Sequence, residues 1–214
     1  MAYKMVKQIK DHPSLRHSFM ELASKVFDLS FEEWYENGFW TDRYIPYVWA
    51  DGDTVIANAS VNVMDLSWQG IPKQYVQIGT VMTDPAHRNK GLSRMLLREI
   101  IADWKDRSDS IYLFANSSVL DFYPKFGFQQ ASQYQHTLSI SGTEQAGFKK
   151  LNMDRASDRE ILRCCYQKSN PFSALSMENN EGLLMFYCGA LLKNSVFYFS
   201  QYDMICIAEQ TENT

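Results

Sequence analysis

From its N-terminus the chain switches repeatedly between a strand-like and a helical spacing of apolar positions. YKMVKQI reads as a short strand. SLRHSFMELASKVFDL follows, with Leu15, Phe19, Leu22, Ala23, Val26 and Phe27 at helical spacing. SFEEWYENGFW predicts a second helical patch that sets acidic residues among large aromatics, with Ser30 and Glu33 at capping-box spacing. IPYVWADGDTVIANASVNVMDLSW then holds Asp51-Gly52 between two strand-like runs, a hairpin signal, and Val55, Ala57, Ala59, Val61 and Val63 alternate onto one face. KQYVQIGTVMTDPAHR continues as a third consecutive strand until Asp84-Pro85 stops it. Beyond HRNKG, the run LSRMLLREIIADWKDR places Leu92, Met95, Leu96, Ile100 and Trp104 along the buried stripe of a helix.

SIYLFAN is a compact β-branched and aromatic strand, SVLDFYPKFGF a short helix ended near Pro124 and Gly127, and FQQASQYQHTLSI one or two closing strands. SGTEQAG, residues 141–147, is polar with two glycines and reads as a linker. The remaining 67 residues predict a helix, a loop through Asn170-Pro171, another helix and two strand-like runs. That length is marginal for an independent domain, so its apolar face is expected to pack on the first unit or, in a homo-oligomer, on a second subunit. The pattern is that of an α/β (α+β) protein with a small C-terminal α/β extension.

Composition narrows the function classes. A chain of 214 residues, 45 % hydrophobic, can bury a real core. Its net charge of -4 argues against a general nucleic-acid partner, which would require a surplus of Lys and Arg to displace counterions from phosphate. The longest apolar run, LLMFYCGALL at 183–192, is about half of the roughly 20 residues a membrane span needs and reads as a core helix. MAYKMVKQIKDHP has no apolar core of a signal peptide, so a reducing, cytoplasmic setting is expected. Cys164, Cys165, Cys188 and Cys206 show no metal-ligand spacing and read as buried free thiols; no metal is expected.

The chemistry concentrates in HRNKGLS, residues 87–93. A strand ending at Thr83, a tight turn and a helix starting near Leu92 aim unpaired backbone N–H groups at one point, where the helix dipole favours an anion such as a pyrophosphate. Gly91 leaves room for a phosphate, and Arg88, Lys90 and Arg94 add local positive charge. The Walker loop and the dinucleotide fingerprint are excluded, because neither G-x-x-x-x-G-K-[ST] nor G-x-G-x-x-G occurs. A different phosphate-bearing cofactor is indicated.

Arg88-Asn89-Lys90-Gly91-Leu92-Ser93 resembles the signature of the GNAT N-acetyltransferase superfamily: Gln or Arg, two variable residues, Gly, one residue, then Gly or Ala. Ser93 departs from it at the last position. FANSSVLDFYPKFGF resembles the second family motif, with Asn116 at a strand end and Tyr123 seven residues later. The resemblance covers residues 3 to about 140. VMTDPAHRNKGLSRML and FYPKFGF are most similar to the enhanced intracellular survival branch, in which a second, smaller GNAT-like module follows the first.

The resemblance implies a GNAT fold over 1–140, a central mixed, mostly antiparallel sheet flanked by helices, with 148–214 as part of a further module. It also implies acetyl-CoA as cosubstrate, the turn from Arg88 through Asn89, Lys90, Gly91, Leu92 and Ser93 to Arg94 holding its pyrophosphate. The fourth strand is expected to splay from the fifth, so that backbone groups of Val81, Met82 and Thr83 pair with pantetheine and polarise the thioester oxygen. By the same likeness Asn116 contacts pantetheine and Tyr123 donates a proton to the departing thiolate, a role open to a phenol that stays protonated at neutral pH.

The implied reaction is acetyl transfer to a primary amine of a small molecule or peptide, by direct attack in a ternary complex, since no Cys or Ser is placed as a nucleophile. Relatives with a general base on the fourth strand carry Glu there, whereas YVQIGTVMT offers only Gln77 and Thr80. Glu32, Glu33, Glu36 and His136 are the candidates elsewhere, beside a water chain. The acidic and aromatic SFEEWYENGFW would suit a cationic amine. The alternative is a catalytically silent acyl-CoA sensor on the same fold.

Overall fold

The computed structural model describes residues 3–134, 137, 147–168 and 173–209. In chain order its main elements are β1 (Lys4–Lys7), α1 (Pro13–Phe27), α2 (Glu32–Glu36), β2 (Tyr44–Asp51), β3 (Thr54–Trp68), β4 (Ile71–Thr83), α3 (Leu92–Trp104) and β5 (Ser110–Leu113). They are followed by β6 (Lys149–Lys150), α4 (Ala156–Gln167), β7 (Leu175–Glu178), α5 (Glu181–Phe186), β8 (Val196–Phe199) and β9 (Met204–Ile207). Contacts divide the chain into two units, Met1–Phe114 with Ser169–Leu191, and Ala115–Lys168 with Leu192–Thr214.

The first unit is a mixed, mostly antiparallel sheet of order β1-β2-β3-β4-β5, flanked by helices. The expected hairpin forms at Asp51-Gly52, with Gly52 at a positive φ, and β2, β3 and β4 pair antiparallel in sequence. Only β4 and β5 run parallel, from Tyr75 opposite Ser110 to Ile78 opposite Leu113. β7 lies antiparallel against the far end of β3, so Leu175–Glu178 belongs to this sheet although it comes late in the chain.

Successive residues of a strand face opposite ways, and β2 shows what covers each side. Val48 packs into the α1 cluster with Phe19, Leu22 and Ala23. Tyr47 faces α3: its hydroxyl accepts from Trp104 Nε1 at 3.0 Å and donates to Asp103 at 2.8 Å. β3 is therefore covered on both sides. Ala57, Ala59, Val61 and Val63 are buried as their alternation predicts, but so are Ile56, Asn58, Ser60, Asn62 and Met64 between them. Val55 lies beyond a register irregularity opposite Trp49 and Ala50 and joins the α1 cluster instead.

Other expectations are corrected locally. Phe27 at the end of α1 is 48 % exposed and Met95 on α3 is 39 % exposed, while Met20 and Leu97 are buried. Ser30 accepts from the N–H of Glu32, not of Glu33, so the capping box does not form. LLMFYCGALL is α5 continued by a π-helical turn, Tyr187–Leu191, and buries Leu183, Met185 and Cys188.

In the second unit β6, β8 and β9 form a three-stranded antiparallel sheet, and Leu151, Met153, Leu162 and Val196 are buried. Asp158 receives Lys149 Nζ at 2.6 Å and the N–H of Asn152 at 2.8 Å. SVLDFYPKFGF forms two short 3-10 turns, Ser117–Val119 and Tyr123–Phe126, in place of one helix. Residues 129–134 enter no strand; QQASQY has no apolar alternation to bury, and most of it is exposed. The expected linker lies outside the described residues except for Gly147. All four cysteines are free thiols, but only Cys188 is buried, and Cys164 is exposed.

Candidate active site

The site is built on β4. Opposite Ala59 this strand carries one residue more than β3, because Asn58 pairs Met82 while Ser60 pairs Gly79. The bulge sets Thr80 at φ 51°, a left-handed conformation costly for a β-branched side chain, of order 1–3 kcal/mol. Two neighbours hold it there. Tyr44 and Thr80 hydroxyls are 3.1 Å apart, and Asn58 Nδ2 donates to Thr80 O at 2.7 Å.

Beyond the bulge β4 has no partner on its β5 side among the described residues, since their pairing ends at Ile78 and Leu113. The Asp84 N–H donates to Ile56 O at 2.9 Å. By strand alternation the backbone groups of Met82 face β3 as well, and those of Val81 and Thr83 face the open side. The Met82 side chain is buried beneath, in the α1 cluster.

β4 then feeds the basic turn. Asn89 (φ 62°) and Gly91 (φ 75°) are left-handed, and Gly91 occupies the N-cap of α3 without a side-chain cap. The N–H groups of the first turn are thus left for another acceptor, and no acidic residue stands there to compete with an anion. A Cβ on Gly91 would meet nothing within 4 Å, so the space before the turn is open. Arg88, Asn89, Lys90 and Arg94 are exposed around it. Lys90 Nζ is braced by the Tyr3 hydroxyl at 3.2 Å. Leu92 is buried and offers only its backbone. Ser93, the departure from the family pattern, turns its hydroxyl to Thr83 Oγ1 at 2.9 Å and ties the end of β4 to the start of α3.

On the α1 face of the sheet a pocket of about 180 Å³ opens beside the bulge. Its floor is Asn62, Gln77, Gly79 and Thr80, and its walls are Phe31, Trp34 and Tyr44 with Leu183, Phe186 and Tyr187. The late segment is seated firmly. Trp34 Nε1 donates to Gly182 O at 2.7 Å, and Phe31 stacks on Phe186 with ring centroids 5.1 Å apart.

A model of the Acetyltransferase (GNAT) domain matches residues 12–131, more than half of the chain. The chain belongs to the GNAT acetyltransferase family. Among solved structures this GNAT chain is similar to an acetyltransferase of Trypanosoma brucei (20 % identity, 65 % of this chain and 100 % of that one, TM-score 0.52). It is similar also to glucosamine-6-phosphate N-acetyltransferase of Arabidopsis thaliana (18 %, 64 % and 99 %, TM-score 0.51). A third is a predicted acetyltransferase of Clostridium acetobutylicum solved with acetyl-CoA (17 %, 64 % and 96 %, TM-score 0.50). At these identities the likeness shows the fold. No curated protein sequence matches.

In this GNAT chain the open edge of Val81 and Thr83 and the turn from Arg88 to Arg94 follow one another in the first unit, whereas Met82, expected beside them, is buried and turned toward β3. Asn116 and Tyr123 belong to the second. There Asn116 Oδ1 accepts from the Ser118 N–H at 3.1 Å and caps a 3-10 turn. Tyr123 is buried edge-on against Phe122 and Phe128, and burial raises its phenol pKa, keeping it protonated. Glu32, Glu33 and Glu36 are exposed, and none lines the pocket. His136 lies outside the described residues. Sequence reasoning missed Asn62, Asn58, Tyr44 and the 183–187 wall; no local motif marks them, because their roles come from strand pairing.

Proposed function

We propose that the chain is an acetyl-CoA-dependent N-acetyltransferase that moves an acetyl group to a primary amine by direct attack in a ternary complex. The observation that carries this is the continuity from the Thr80 bulge along the unpartnered edge of β4 into the uncapped start of α3. A pantetheine amide can pair with Val81 and Thr83 as an added strand, while the first-turn N–H groups and Arg88, Lys90 and Arg94 suit a pyrophosphate. Acetyl-CoA supplies an activated thioester. The backbone N–H of Val81, on the open side, polarises its carbonyl, while Met82, turned toward β3, does not take the role expected of it. The family likeness gives Asn116 the role of steadying the arm and Tyr123 that of protonating the leaving thiolate.

The enhanced intracellular survival branch is our reading of VMTDPAHRNKGLSRML and FYPKFGF, with residues 148–214 as part of its smaller module. Calorimetric titration with acetyl-CoA tests the assignment. Saturable micromolar binding is expected, followed by thiol release in an amine panel. Absence of binding at millimolar ligand would overturn it.

A further inference from the structure

The floor of the pocket beside the bulge presents two amides that no other described side chain engages. Asn62 and Gln77 face each other across β3 and β4 and are only 9 % and 8 % exposed. Both line the pocket, and neither side chain bonds to another described residue, so their amide groups open onto the cavity. Asn62 Nδ2 lies 3.9 Å from where a Cβ on Gly79 would stand, so its amide hangs over the approach to the bulge. Two amides side by side on the floor of a cavity, free of protein partners, are what a polar ligand group would complete.

We propose that this pocket binds the acetyl acceptor and that the acceptor is a weakly basic amine on a single aromatic or heteroaromatic ring. This rests on the acetyltransferase reading above. Size is the first argument: about 180 Å³ compares with the ~150 Å³ cavity that accepts benzene in another protein. Shape and surface are the second, since Phe31, Trp34, Tyr44, Phe186 and Tyr187 offer rings against which a ring can pack. Charge is the third. Among the described residues no Asp, Glu, His, Lys or Arg lines the cavity, so an ammonium there would be desolvated without a counterion, whereas a neutral N–H group finds amide acceptors.

The same choice accounts for a fourth strand without Glu. An alkylamine arrives protonated and must lose that proton before it can attack; an arylamine is already neutral at pH 7. Its nitrogen lone pair forms the new bond to the acyl carbon and the carbon–sulfur bond breaks. The sulfur takes one proton and the nitrogen releases one to water, giving an arylamide and a free thiol. Burial also raises the Tyr44 phenol pKa, so the hydroxyl nearest the bulge stays protonated and is no base.

The test uses the full chain with saturating acetyl-CoA and compares aniline, benzylamine and spermidine by thiol release. Aniline is expected to exceed the other two in kcat/KM by about tenfold or more at pH 7, with little pH dependence above neutrality. Asn62→Leu and Gln77→Leu should each raise its KM about tenfold while leaving acetyl-CoA affinity unchanged. Both variants should melt no lower than the parent, because neither amide holds another described residue by a hydrogen bond.

Preference for benzylamine or spermidine would overturn the proposal, as would Leu variants that melt lower with KM unchanged. Benzoyl-CoA outperforming acetyl-CoA would assign the cavity to the donor's acyl group and overturn it too. Should no amine turn over, titration of aniline into the coenzyme A complex decides, and no saturable binding overturns the proposal while the acetyl-CoA reading stands. Failure to bind acetyl-CoA removes the underlying reading instead.

Discussion

Replacing Gly182 by Ala asks whether the late segment is seated where it closes the pocket. A methyl at this position would stand 2.3 Å from the carbonyl oxygen of Phe39 and 3.5 Å from Thr41 Cγ2. The obstacle is backbone, anchored by the Phe39 N–H to Trp34 O at 3.0 Å, so α5 has to retreat by about 1 Å. Retreat stretches the 2.7 Å bond from Trp34 Nε1 to Gly182 O, a loss of about 0.5–1.5 kcal/mol, and overpacking adds about 1–3 kcal/mol. Alanine's better helix propensity returns up to about 1 kcal/mol. The net cost is about 2 kcal/mol, a fall in Tm of roughly 4–8 °C for a chain of this size. Gly189, in the π-helical turn of the same segment, has nothing within 4 Å of its Cβ, so Gly189→Ala should leave Tm nearly unchanged. Melting both variants by circular dichroism decides, and equal Tm values for Gly182→Ala and the parent would refute the packing argument.

Removing charge from the turn with Arg88→Ala and Lys90→Ala together should weaken acetyl-CoA binding about tenfold or more and flatten its salt dependence, read by calorimetry at two ionic strengths. Tyr123→Phe should lower turnover with acetyl-CoA affinity preserved; an unchanged rate removes Tyr123 from the mechanism. Arg43, 2.5 Å from Asp65, holds that carboxyl below its ordinary range, so the native state binds fewer protons there than the unfolded chain. The stabilisation is present above the unfolded value and fades as pH falls below about 4, so Asp65→Asn should flatten the acid limb of a Tm-against-pH curve.

Much of the sheet could be read from periodicity because its strands are long and their turns are marked: Asp51-Gly52 for the hairpin, Asp84-Pro85 for the stop of β4. The basic turn from Arg88 into α3 was equally legible as a strand-to-helix junction, being local in sequence. Burial was less so. Alternation along β3 suggested one covered face, yet the strand lies mid-sheet between α1 and α3 and is buried on both, which is why polar Asn58, Ser60 and Asn62 are enclosed. The pocket was illegible for the same reason, since its ten lining residues come from five separated stretches of chain. The acidic residues that suggested a cationic acceptor share α2 with Trp34, but only the tryptophan turns inward.

Thr80 shows why the decisive residue resisted reading. In YVQIGTVMT a threonine next to Val81 favours an extended strand, and nothing local asks for a positive φ; the preceding Gly79 would be the expected bulge residue. The left-handed conformation falls on Thr80 because Tyr44 and Asn58, on two other strands, bond its hydroxyl and carbonyl. Had the bulge fallen on Gly79, those bonds would not define its direction. With the strain on Thr80, one hydroxyl and one carbonyl fix where β4 turns its free edge, at the boundary between the ring-lined pocket and the backbone groups of Val81. A residue poorly suited to its own backbone thus sets the geometry of the residues on both sides of it.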